Sequence, residues 1–147
     1  MGIAVLGPVR VDGDAADLGP RDRVVLAVLA LRPGETVGTE RLADALWGER
    51  PPATWVKVLQ GCVARLRKVL GAGAIETEHQ GYRLVVPVEE VDAQRFERLV
   101  LRGRELLTLG EPERADHVIG EGLALWRGRS LVELEGWDPA RIEATRL

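Results

Sequence analysis

The sequence predicts an α+β winged helix-turn-helix followed by an all-α, tetratricopeptide-like helical segment. Three observations carry that prediction. Thr54 to Leu70 is amphipathic at helical spacing: Leu59, Val63, Leu66 and Leu70 stack on one face, and Lys57, Gly61, Ala64, Arg65 and Lys68 lie on the other. A second helical pattern precedes it across the stiff turn Glu49-Arg50-Pro51-Pro52-Ala53, and two short extended stretches follow it. Beyond residue 91, two further helical patterns together occupy about one tetratricopeptide period, roughly 34 residues.

The elements follow in chain order. Ile3, Val5, Val9 and Val11 alternate with other residues, and Asp12-Gly13 is a strong turn pair, so residues 3–18 read as a short hairpin or meander. Gly19-Pro20 opens a helix, because proline is tolerated at the first helical position, and Asp22 suits its positive N-terminal end. Val24 to Leu31 is apolar nearly all round and marks the buried central helix, which Pro33-Gly34 ends. Glu35 to Gly38 is a brief extended link. Thr39 can cap the next helix, with Leu42, Leu46 and Trp47 inward and Gly48 as its stop. Thr54 can cap the basic helix, with Trp55, Val56 and Cys62 flanking its apolar stripe, and Gly71 ends it. Ile75 to Glu78, the His79-Gln80-Gly81 turn and Tyr82 to Val86 make a hairpin whose Tyr82, Leu84 and Val86 point inward. Trp47, Trp55 and Tyr82 read as core.

Pro87 to Glu90 is a linker, which divides the chain into residues 1–88 and 91–147. Asp92 can cap a helix with Phe96, Leu99, Val100, Leu106 and Leu107 inward, stopped by Gly110. Pro112 opens its partner, with Ala115, Val118, Ile119 and Trp126 on the apolar side. Residues 130–137 look irregular, and Pro139 to Leu147 starts another helix. One helical pair cannot bury its own apolar face, so the second segment reads as the incomplete start of a longer array.

Composition narrows the function. A 46% hydrophobic and 29% charged chain suits one globular domain or two small ones. The longest apolar run is far too short for a bilayer, and no basic stretch precedes the apolar N-terminus, so neither a membrane span nor a secretory signal is expected. The single cysteine agrees with a reducing cytoplasm. Net charge is −3, but residues 54–70 hold four basic side chains (Lys57, Arg65, Arg67, Lys68) and no acidic one. Phosphate affinity depends on the groups at the contact, so a local basic face suffices for nucleic acid. His79 and His117 are far apart and lack partners at ligand spacing, so no metal is expected. Cys62 reads as a small buried apolar side chain. Neither a phosphate-cradling loop nor a nucleophile arrangement is present, so neither a cofactor nor an enzyme activity is expected. Two function classes remain: a sequence-specific DNA-binding activator, or a protein-interaction module whose winged helix no longer binds DNA.

LGPRDRVVLAVLALRPGETVGTERLADALWGERPPAT, LQGCVARLRKVLG and GYRL closely resemble the Streptomyces antibiotic regulatory protein family, and FERLVLRGRELLTLGEPERA and LALWRGRSL resemble its bacterial transcriptional activation domain. The resemblance implies an OmpR-type winged helix that binds promoter direct repeats, recruits RNA polymerase and often switches on secondary-metabolite genes. Helix 54–70 would be the recognition helix. Thr54, Lys57, Gly61, Ala64, Arg65, Arg67, Lys68 and Arg83 would form the DNA site, and Glu49, Arg50, Pro51, Pro52 and Ala53 would touch polymerase. Within it, Lys57 and Lys68 should meet phosphates and Arg65 should reach base edges. The absent side chain of Gly61, which costs about 1 kcal/mol in a helix, should let the backbone settle deep in the groove. The chain departs from the family at Gly61-Cys62 and at the acidic hairpin residues Glu76 and Glu78.

Overall fold

The computed structural model describes residues 2–11, 18–134 and 137. In chain order they form β1 (Ile3–Ala4), β2 (Arg10–Val11), α1 (Pro20–Leu31), β3 (Thr36–Gly38), α2 (Thr39–Trp47), α3 (Trp55–Leu70), β4 (Ile75–Glu78), β5 (Gly81–Leu84), α4 (Asp92–Thr108) and α5 (Pro112–Leu123). Short 3-10 turns at Val88–Glu90 and Val132–Leu134 complete them. The stretch read as a linker is thus partly helical.

α1 is the centre. Val25, Leu26, Ala27, Val28, Leu29 and Ala30 are all buried, as its unbroken apolar composition requires. α2 and α3 pack against it, and a three-stranded antiparallel sheet in the order β3-β5-β4 closes the other side. Leu59, Cys62, Val63 and Leu66 are the buried residues of α3. Tyr82 is buried and Trp55 packs partly buried on the core, while Trp47 is half-buried. Gly48 and Gly71 stop α2 and α3 with positive φ of 63° and 107°, each donating its N–H back to the helix. Gly81 belongs to β5 rather than to the turn: the Val37 carbonyl of β3 occupies the space that a Cβ would need.

Several local expectations change. Thr39 is the first residue of α2, not its cap, and Thr54 stands at the start of α3 without a capping side-chain bond. β1 and β2 pair across a bend at Leu6-Gly7-Pro8, while Asp12-Gly13 lies outside the described residues, as do 139–147. The alternation of Ile3, Val5, Val9 and Val11 does not sort faces, because Ala4 and Leu6 are buried too. The reason is that the C-terminal segment covers this hairpin. Leu6 C=O accepts from Arg127 N–H at 2.8 Å, and Val5 C=O accepts from Leu131 N–H at 3.2 Å. The Glu133 carboxylate accepts from Val9 N–H at 2.9 Å. Asp92, read as a helix cap, is instead the first residue of α4, and its two oxygens accept from Val5 N–H at 2.8 Å and Leu6 N–H at 3.1 Å. Val91, Ala93, Leu131 and Leu134 belong to the same buried cluster as α1, so apolar packing runs across the two segments.

α4 and α5 form an antiparallel-type helical pair in which Leu106 and Ala115 are buried, whereas Leu107 is 52% exposed. Phe96 meets Trp126 edge-to-face at 5.4 Å. Gly103 makes the pair possible: a Cβ there would lie 2.7 Å from Ile119 Cδ1. Gly103→Ala is therefore expected to destabilise by about 1–3 kcal/mol through overpacking, although alanine is the better helix former. Thermal denaturation of Gly103→Ala against Gly103→Ala/Ile119→Ala, which removes both Ile119 atoms that the new Cβ would meet, checks this. The second variant should recover stability, and a Gly103→Ala variant that melts higher than wild type would disprove the close approach.

Candidate nucleic-acid interface

α3 presents its outer face to solvent because its apolar stripe is spent on α1. Val56, Lys57, Gln60, Ala64, Arg65 and Lys68 are exposed, and Gly61 and Arg67 are half-buried. No acidic residue lies on α3. Lys57 and Lys68 take part in no ion pair or hydrogen bond among the described residues. Thr54 is exposed at the start of the helix, and Glu49 to Ala53 are all exposed beside it.

The arginines behave differently. Arg65 does not extend outward. Its Nε sits 2.9 Å from Asp22 Oδ2 and its Nη2 donates to Asp22 Oδ1 at 3.0 Å, a two-point clamp between α3 and the first turn of α1. The Asp22 side chain is only 5% exposed and that of Arg65 is 55% exposed, so the pair lies at the rim of the core. The bond to Asp22 raises the Arg65 pKa and keeps the guanidinium charged. Nη2 also donates to Cys62 Sγ at 3.6 Å. Burial, reinforced by Asp22, pushes the Cys62 thiol up to about 11, which leaves it protonated and unreactive.

Gly61 belongs to the same arrangement. A Cβ on it would meet Arg65 Nη1 at 3.4 Å, so the guanidinium lies over the bare backbone where a deep groove contact was expected. Arg67 donates from Nε and Nη2 to Ile75 C=O at 3.0 and 2.8 Å, and from Nη2 to Thr77 Oγ1 at 2.9 Å. It ties the hairpin to α3. Arg83 lies across the strands from Glu76 and is ion-paired to it, with Glu78 3.2 Å from its Nε. The exposed face of the hairpin is therefore acidic on balance.

The sequence-level site thus divides. Thr54, Lys57, Ala64 and Lys68 share one open face, whereas Arg65, Arg67 and Arg83 are held by intramolecular partners. Gln60 was missed. It lies between Val56 and Ala64 at i, i+4, i+8 spacing, and counting charges passed over a neutral side chain that a helical projection puts on the exposed face beside Ala64. Among the described residues no cluster could hold a metal ion, and no helix is long and apolar enough to cross a membrane.

The fold and this face define a winged helix-turn-helix joined to a helical activator-type domain. Residues 13–84 match the family described as "Transcriptional regulatory protein, C terminal", and residues 91–147 match the "Bacterial transcriptional activator domain". The chain is 37% identical over 142 residues to the transcriptional regulator RedD of Streptomyces coelicolor, covering 89% of this chain and 40% of RedD. It is 32% identical to the regulatory protein DnrI of Streptomyces peucetius, covering all of this chain and 61% of DnrI. The solved structure of Mycobacterium tuberculosis EmbR in complex with a low-affinity phosphopeptide superimposes with a TM-score of 0.88 at 29% identity, over 99% of this chain and 41% of EmbR. The chain belongs to the Streptomyces antibiotic regulatory protein family, with its OmpR-type winged helix and bacterial transcriptional activator domain.

Proposed function

We propose that this chain is the DNA-binding part of a cytoplasmic transcriptional activator. It docks α3 in the major groove of promoter direct repeats, with copies sitting head to tail, and recruits RNA polymerase through the turn before α3. The observation that carries this reading is the open, acid-free outer face of α3, with Lys57 and Lys68 at its two ends and without an ion-pair partner among the described residues. Lysines at such positions suit phosphates along one wall of the groove. The relatives' names, one transcriptional regulator and two regulatory proteins, support it.

Fluorescence anisotropy on promoter duplex over a salt series tests it. Each phosphate contact contributes about 0.9 to the log–log salt slope. Lys57→Ala/Lys68→Ala should therefore lower the slope by about 2 and weaken all sequences alike. An unchanged slope would remove α3 from the interface, and salt-independent behaviour with no DNA binding would favour the protein-interaction module.

The turn has its own test. Glu49 to Ala53 are exposed and stiffened by Pro51-Pro52, so they offer a fixed shape to a protein partner. Glu49→Ala/Arg50→Ala should leave promoter affinity intact and reduce transcription in vitro several-fold. Equal loss of both would place the turn on the DNA instead.

A further inference from the structure

We propose that α3 reads adenine·thymine pairs: Gln60 makes a two-point contact with the major-groove edge of an adenine, and Val56 and Ala64 pack on thymine methyl groups on either side. This rests on the reading of α3 as the recognition helix.

Two independent features lead here. The first is the strip itself. Val56, Gln60 and Ala64 recur one turn apart along the exposed face, and Val56 remains 48% exposed on an otherwise polar surface. An amide side chain can accept from adenine N6 and donate to N7, whereas small apolar groups recognise the thymine methyl. Gln60 is in the N-terminal half of the helix, the part that a recognition helix turns to base edges. Lys57 and Lys68 lie about 60° and 80° round the axis from Gln60, at roughly 100° per residue, which aims them at one wall of the groove.

The second is what the arginines cannot do. Arginine is the commonest reader of guanine. Arg65 is clamped on Asp22, Arg67 is spent on Ile75 and Thr77, and Arg83 is paired with Glu76. Each would have to give up its intramolecular partner to reach a guanine. With Lys57 and Lys68 on phosphates, the side chains left for direct readout are the amide and the two apolar groups.

Selection from a random duplex library with the full chain, at fixed salt, tests this. The enriched motif should contain an adenine flanked by thymines. Replacing those thymines with uracil, or the adenine with 7-deaza-adenine, should each weaken binding. Gln60→Ala should lose about 5- to 150-fold discrimination at one base pair with its salt slope unchanged, and Gln60→Arg should convert that position to guanine. A motif dominated by guanine at the Gln60-dependent position, or Gln60→Ala and Gln60→Arg selecting the wild-type motif, would overturn the proposal while leaving DNA binding intact. Failure to retain any duplex would sink the recognition-helix reading itself.

Discussion

Arg65→Ala is expected to destabilise the fold by about 3 kcal/mol, the lower end of the cost of breaking a buried ion pair. The direction follows from the asymmetry of the pair. Arg65 is 55% exposed and Asp22 is 5% exposed, so deleting the arginine strands a carboxylate beneath the start of α3's neighbour. Deleting the aspartate strands nothing, because the guanidinium can turn to water. Asp22→Ala should therefore cost less, about 1.5–3 kcal/mol for the charged hydrogen bonds, and Asp22→Ala/Arg65→Ala should be more stable than Arg65→Ala alone. Urea denaturation of the four proteins measures the cycle. Cys62 supplies a second readout: buried and protonated in the native state, its thiol should label with iodoacetamide only as molecules open. Labelling should speed up most in Arg65→Ala. Wild-type stability in Arg65→Ala, with operator affinity lost, would assign the guanidinium to DNA rather than to Asp22.

That residue shows where sequence reasoning stopped. The apolar stripes of α1 and α3, the proline-stiffened turn and the glycine stops at 48 and 71 were legible because each is a local consequence of periodicity or backbone freedom. So was the open face of α3, since a helix that buries Leu59, Val63 and Leu66 must expose Lys57, Ala64 and Lys68. The fates of the arginines were not legible. Asp22 and Arg65 are 43 residues apart, and nothing in the spacing of either says that they meet. Arg67 and Arg83 depend likewise on the register of a hairpin. A charge count treats every basic side chain as available, whereas tertiary partners decide which are. The same limit explains β1, whose two-sided burial comes from a segment more than a hundred residues later.

Asp92→Ala should be among the most damaging single changes, at about 2–5 kcal/mol. Both oxygens of Asp92 are in use, on the buried N–H groups of Val5 and Leu6, which are 87 and 86 residues away. Alanine leaves two buried donors unsatisfied, and each such group costs about 1–3 kcal/mol. A helix cap would behave otherwise. Loss of a cap costs about 1 kcal/mol and frays the start of its own helix, whereas here the loss falls on Val5 and Leu6, just after β1, whose pairing with β2 spans only two residues. Asp92→Asn keeps one acceptor oxygen and turns an NH2 group toward the other amide, so it should recover only part of the stability. Hydrogen exchange locates the effect. In Asp92→Ala the Val5 and Leu6 amides should lose protection while amides in the middle of α4 keep theirs, and Asp22→Ala should leave Val5 and Leu6 protected. Exchange that rises at the start of α4 and not at Val5 and Leu6 would show that Asp92 serves its own helix after all, and that the hairpin is held by its remaining contacts.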